Sequence, residues 1–148
     1  MNPSPLQLER HFFTRIQLDA KPTGKPEVPN QLSCQVEVGR AADDSKRFQV
    51  IVRLKLQSPS HGQACYTGEI DSVGLFRVAD RWPEDRMLEL VEANGAAVLF
   101  GAIRELICNL TARGPWPQIS LQTVTFVQPK VKSEPHSGRG TRTVPTPV

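Results

Sequence analysis

The side chains with most chemical potential in this chain are three cysteines, Cys34, Cys65 and Cys108, and three histidines, His11, His61 and His136. Zinc sites draw on ligands in tight pairs, and no C-x-x-C pair is present, so no metal is expected. Cys108 with His11 or His61 would supply a thiol nucleophile and a base, yet no local signature surrounds any of the three. Cys108 follows Ile107 in an apolar-rich segment, where a thiol usually serves as a small hydrophobe. The carboxylates Glu84, Asp85, Glu89 and Glu92 cluster on one short helical stretch and read as a solvated face. Neither a phosphate-cradling glycine loop nor a G-x-S-x-G elbow occurs. The expectation is a protein that is not an enzyme and needs no cofactor.

What must position these residues is one domain. A chain of 148 residues can bury about 68–70% of its unfolded surface without staples. Nothing is apolar for long enough to insert into a membrane. MNPSPLQLERHFF lacks the charged start and apolar run of a signal peptide, so the cytoplasm is the expected compartment. The net charge of +3 divides unevenly. Lys130, Lys132, Arg139 and Arg142 stand against Glu134 alone beyond Pro129, which leaves the body of the chain balanced between acids and bases. A domain built around nucleic acid would carry its bases on a folded face, so no nucleic-acid partner is expected of the body. Binding through the tail is the remaining route to nucleic acid. Residues 129–148 are proline-rich and without period and are expected to form a disordered basic tail, behind a folded domain of residues 1–128.

Four segments alternate with period two, the signature of strands with one buried face. In the first, Leu6, Leu8, Phe12, Ile16 and Leu18 share one parity, interrupted by Arg10 and Thr14, so a bulge or bend is anticipated. DAKPTGKPEVPN is a loop by composition. Leu32, Cys34, Val36 and Val38, then Phe48, Val50, Val52, Leu54 and Leu56, describe an antiparallel hairpin. Tyr66 to Val78 is less regular, and Gly68 and Gly74 suggest a kink there. From Pro83 the period changes to that of a short helix which Asn94-Gly95 would end. A second helix, about 27 Å long at 1.5 Å per residue, runs from Ala96 to Arg113, with Gly114 as its C-terminal signal. Leu99, Ile103, Leu106, Ile107 and Leu110 form its main stripe. Val98, Phe100 and Ala102 make it apolar on a second side, which predicts a self-association surface. ISLQTVTF alternates once more but is short.

This order of elements resembles the SecB family of protein-export chaperones. Two stretches carry the likeness. YTGEIDSVGLFRV, Tyr66 to Val78, is similar to the family's C-E-V-x-x-x-G-x-F strand. AAVLFGAIRELICNLTARGPWPQISL, Ala96 to Leu121, combines L-F, A-x-R-E, R-G and aromatic-Pro in the family's register. IQLDA near the end of the first strand is like the family's I-S-F-E-A.

The resemblance implies an α+β fold: a four-stranded antiparallel sheet, a meander with a crossover loop, packed with one short and one long C-terminal helix. It implies a homotetramer, a dimer of dimers, with the long helix in the interface through Val98, Phe100, Ala102 and Glu105. It also implies an ATP-independent holdase for unfolded or pre-secretory polypeptide clients, which are expected to meet Val36, Val38, Phe76 and Trp116. Asp19 and Glu69 match positions that the family presents to the SecA motor, whereas Arg15 reverses the sign at a third. The crossover, Lys21 to Asn30, lacks the family's usual aromatic residue. Beyond Phe126 a basic tail replaces the family's second helix and acidic end. Two readings stay open: a general chaperone delivering clients to SecA, and a chaperone or interaction module dedicated to one partner, such as an antitoxin.

Overall fold

The structure, a computed structural model, describes residues 1–126; the expected disordered basic tail, residues 129–148, lies outside the described residues. Strands β1 (Leu6–Ala20), β2 (Gln31–Arg40), β3 (Arg47–Gln57) and β4 (Tyr66–Val78) form one antiparallel sheet in the order β1-β4-β3-β2. Hairpins join β2 to β3 and β3 to β4, while the crossover loop carries the chain from β1 to the far edge. A short helical turn at Glu84–Arg86 leads into α1 (Met87–Leu90). A π-helical turn at Val91–Gly95 then connects α1 to α2 (Ala96–Thr111).

The core lies between α2 and the central strands. Strand β3 alternates as its sequence predicts, with Phe48, Val50, Val52, Leu54 and Leu56 all buried. On α2, Leu99, Ile103 and Ile107 close over them. Burying each such side chain contributes about 1.5–3 kcal/mol. The helix packs on β3 and β4, and the outer strands are covered far less.

Three local expectations change. First, β1 keeps its long run but switches face twice, with irregularities between Leu8 and Arg10 and between Phe13 and Arg15. Between them His11 pairs with Gly74 and Phe13 with Ser72, on the α2 side of the sheet. Phe12 pairs with Val73 and therefore lies on the opposite face, not with Leu6 and Leu8 as simple parity placed it. An extra residue inverts every side chain that follows, and a second restores them. The bulges fall on β1, while Gly68 and Gly74 sit in regular register on β4.

Second, Asn94-Gly95 does not end a helix. Gly95 is itself helical (φ −63°, ψ −47°), and a Cβ there would meet Val50 Cγ2 at 3.0 Å. The glycine brings the helical segment close to β3, and the π-turn absorbs the change of path. Third, Ile119 to Phe126 forms no strand; it lies along α2 as an extended strap.

Gly68 shows how tightly β1 and β4 meet: a Cβ there would stand 2.0 Å from the Gln17 carbonyl oxygen. Gly68→Ala must push backbone from backbone, and a loss of about 3 kcal/mol is expected in denaturant unfolding. Gly39→Ala, with open space around its position, should change stability by no more than about 0.5 kcal/mol.

Candidate functional site

The chain after α2 is fixed by one buried hydroxyl. Tyr66 opens β4, and its Oη accepts the Trp116 backbone N–H at 3.2 Å and lies 3.5 Å from the Thr111 carbonyl oxygen. Gly114 leaves room for it, since a Cβ there would be 2.0 Å from Oη. That close approach accounts for the glycine that the sequence offered as a helix stop. The Trp116 indole N–H then donates to the Lys21 carbonyl at 2.9 Å. Lys21 N–H donates to Cys65 O at 2.8 Å, and Asn30 Nδ2 donates to Tyr66 O at 2.7 Å. Both ends of the crossover loop are thereby tied to the start of β4.

Between the loop and the post-helix turn lies a cleft of about 190 Å³, lined by Pro26, Val28, Pro29, Pro117 and Ile119 among others. From Asn30 the chain runs directly into β2, whose α2-side face is largely uncovered. Leu32 is 47% exposed and Val36 37%, while Cys34 is exposed and Val38 half-buried. The strip is an apolar surface open on one side, and the cleft beside it mixes apolar side chains with polar groups such as Asn30 and Gln118, a combination suited to both the side chains and the backbone of an extended polypeptide. Of the four expected client residues, Val36 and Val38 lie on this surface. Trp116, next to the cleft-lining Pro117, is half-buried, with its polar edge already engaged. Phe76 is only 1% exposed; it is a core residue, because β4 is central and α2 covers it.

Two of the three thiols, Cys65 and Cys34, are shifted away from the reactive thiolate. Burial, with the Glu27 charge behind it, pushes the Cys65 thiol up. Desolvation raises Cys34 even though it sits on an exposed edge strand. Activated cysteines are shifted the other way. Cys108 Sγ meets Gln118 Nε2 at 2.9 Å, and the His11 ring contacts Ser72 Oγ at 2.7 Å. Ser72 is fully buried, so that hydroxyl is satisfied but out of a substrate's reach.

The sheet face away from α2 carries the charges. Asp19 and Glu69 share it, on β1 and β4. Asp19 is exposed. Glu69 is clamped, with Oε2 2.7 Å from Arg15 and Oε1 3.4 Å from Lys55. Arg53 pairs with Glu37 and Asp71, and Arg47 and Arg77 pair with Glu9 and Asp44. Exposed pairs of this kind add little stability. Their larger effect is to cancel the field a docking partner would meet. A row of Phe12, Val73 and Ile51 crosses the middle of this face.

On α2, Val98 is 47% exposed, Glu105 is exposed and Ala102 half-buried, with open space over Gly101. Phe100, the fourth residue expected at an oligomer interface, is 5% exposed and covered by its own chain. The Phe126 ring meets it edge-on, centroids 5.9 Å apart. The short alternation of ISLQTVTF was the only sequence signal for this strap, and alternation cannot tell a strand from an extended segment lying on a helix.

Asp44 accepts the Lys46 backbone N–H at 3.0 Å. That bond, followed by the Arg77 and Arg47 charges and against some desolvation, holds its carboxyl below the usual range. A carboxyl depressed in the folded state adds stability above its unfolded pKa and loses it as pH falls through the folded value. Asp44→Asn is therefore expected to be less stable than wild type at pH 7. The gap should close below the depressed Asp44 range, as read from denaturant midpoints across a pH series.

A family model described as preprotein translocase subunit SecB matches residues 15–129. The protein-export protein SecB of Psychrobacter arcticus is 29% identical over 135 residues, covering 87% of this chain and 88% of that one. SecB of Thioalkalivibrio sulfidiphilus is 32% identical over 102 residues, covering 69% of this chain and 58% of that one. Among solved structures, a SecB-like chaperone of Mycobacterium tuberculosis, in complex with a peptide from an antitoxin, superposes with a TM-score of 0.64 at 20% identity. It covers 81% of this chain and 91% of that one, a likeness of fold. Among the described residues, no helix is long and apolar enough to cross a membrane.

Proposed function

Because this chain belongs to the SecB family, we propose that it is an ATP-independent holdase, working in the cytoplasm on unfolded or pre-secretory polypeptides and performing no covalent chemistry. The observation that carries this reading is the open apolar strip of Leu32 and Val36 beside the crossover cleft. A client held there is read by exposed apolar side chains and not by one sequence, which suits many clients. The clients' export through the Sec pathway follows the name its relatives carry, protein-export protein.

Assembly is proposed through α2, as a tetramer built from two dimers. Val98, Gly101 and Ala102 give that helix an outward side of small and apolar residues against which a neighbouring helix can lie close, with the exposed Glu105 beside them. Val98→Asp places a charge in that contact and should shift sedimentation at micromolar concentration toward smaller species. A wild-type chain sedimenting as a monomer would overturn the assembly.

A second reading, a chaperone dedicated to one partner such as an antitoxin, is favoured by one observation. Glu69 is held between Arg15 and Lys55, whereas Asp19, exposed and met by the neutral Gln17 amide, is the acid of the two that could meet a basic motor such as SecA. The two readings separate in one assay. A general holdase suppresses aggregation of several unrelated unfolded proteins at stoichiometric ratios, and Val36→Asp should weaken that about tenfold, or 1.4 kcal/mol. Failure on all of them, with tight capture of one cellular protein, selects the dedicated chaperone.

A further inference from the structure

The strap from Gln118 to Phe126 is an extended polypeptide bound to a helix. It runs antiparallel to α2. Ile119 N–H donates to Thr111 Oγ1 at 2.9 Å, Arg104 donates to Thr123 Oγ1 at 2.8 Å, and Phe126 meets Phe100. Ile119, Leu121 and Phe126 turn inward and pack against the core cluster, while Ser120, Gln122 and Val124 are exposed. At its start the Gln118 amide donates to Cys108 O at 3.0 Å.

The manner of holding is what matters. The residues that carry the strap are apolar side chains at the first, third and eighth positions from Ile119. The hydrogen bonds described for Gln118 to Val124 run through side chains and not through a strand ladder. Ordering an extended segment costs entropy at every residue, and one buried side chain, Leu121, with two half-buried ones, Ile119 and Phe126, returns less than three full burials. Segments with these properties open locally at low free energy.

We propose that the α2 surface beneath the strap is a polypeptide-binding site, occupied at rest by the chain's own pseudo-client and open to an extended client segment with apolar residues at the same spacing. The strap covers Phe100 when no client is present, which keeps an apolar helix face from solvent. A client that docks on the β2 strip and continues across the crossover cleft meets Ile119 first, because Ile119 lines both cleft and strap. The inference rests on the holdase reading for the identity of the occupant.

The test uses the full chain and a fluorescent peptide of the strap sequence, QISLQTVTF, added in trans. Phe126→Ala and Leu121→Ser, each checked for an intact fold by circular dichroism, should bind the peptide about tenfold more tightly than wild type by removing the competing tether. Val124→Ser, on the exposed side, should not. With an unfolded reporter such as reduced, alkylated α-lactalbumin, amide exchange across residues 119–126 should rise on binding to wild type. Two folded variants that ignore the peptide overturn the site. Reporter binding with unchanged strap exchange also overturns it, while leaving the holdase reading intact. Peptide binding with no capture of any unfolded reporter upholds the site and removes the holdase reading.

Discussion

A helix is about 10–12 Å across with its side chains, and four strands at 4.7–4.9 Å spacing are wider than that. One long helix therefore cannot roof this sheet, and α2 lies over the two central strands, β3 and β4. There the fold is closed, with Val50, Val52, Leu54 and Ile70 beneath Leu99, Ile103 and Ile107. At the edges it is open, leaving Leu8 and Ile16 on β1 and Leu32 and Val36 on β2 exposed. The surfaces considered for clients and for other subunits follow from this shortage of cover. Apolar side chains that the strand pattern aimed inward find no helix above them.

Shortage of cover also explains the weight placed on Tyr66. The crossover loop and the segment after α2 lack regular secondary structure, so their backbone groups must find partners elsewhere. Backbone bonds such as Lys21 N–H to Cys65 O supply some, and a hydroxyl, an indole N–H and an asparagine amide supply others, tying Asn30, Thr111 and Trp116 to Tyr66 and Trp116 to Lys21. Trp116 thus combines an apolar ring near the cleft with a polar edge that locks the loop. It shapes the surface whether or not a client touches it.

On the other face the constraint is charge. Family likeness points to Asp19 and Glu69 as equivalents, yet the sheet sets Arg15 and Lys55 around Glu69. Cross-strand neighbours in a sheet stand close enough for such pairs to form without special geometry. The result is a balanced face crossed by an apolar row, which repels neither sign strongly. A protein can keep its fold while the charges on one face are rewritten, and this is where chaperones of one family can part in their choice of partner.

The strand order, the crossover and the long helix were legible because hydrophobic period is a local property, written within each segment. β3 reads identically in sequence and structure. The exposed Val36 and the half-buried Val38 were legible for the same reason, as residues whose strand had a face to bury. What only the tertiary structure decided depends on a second segment being present. Phe12 changes face because β1 bulges against β4. Gly95 looks like a helix stop by residue type but is itself helical and is a space cut for Val50, while Gly114 does follow the end of α2 and is also the space that Tyr66 fills. Phe76 and Phe100 are apolar in sequence and covered in the fold, and Glu69 is an acid in sequence and half of a clamp in space. Pattern sets what a segment can become; the neighbour packed against it fixes which face, which contact and which charge remain for function.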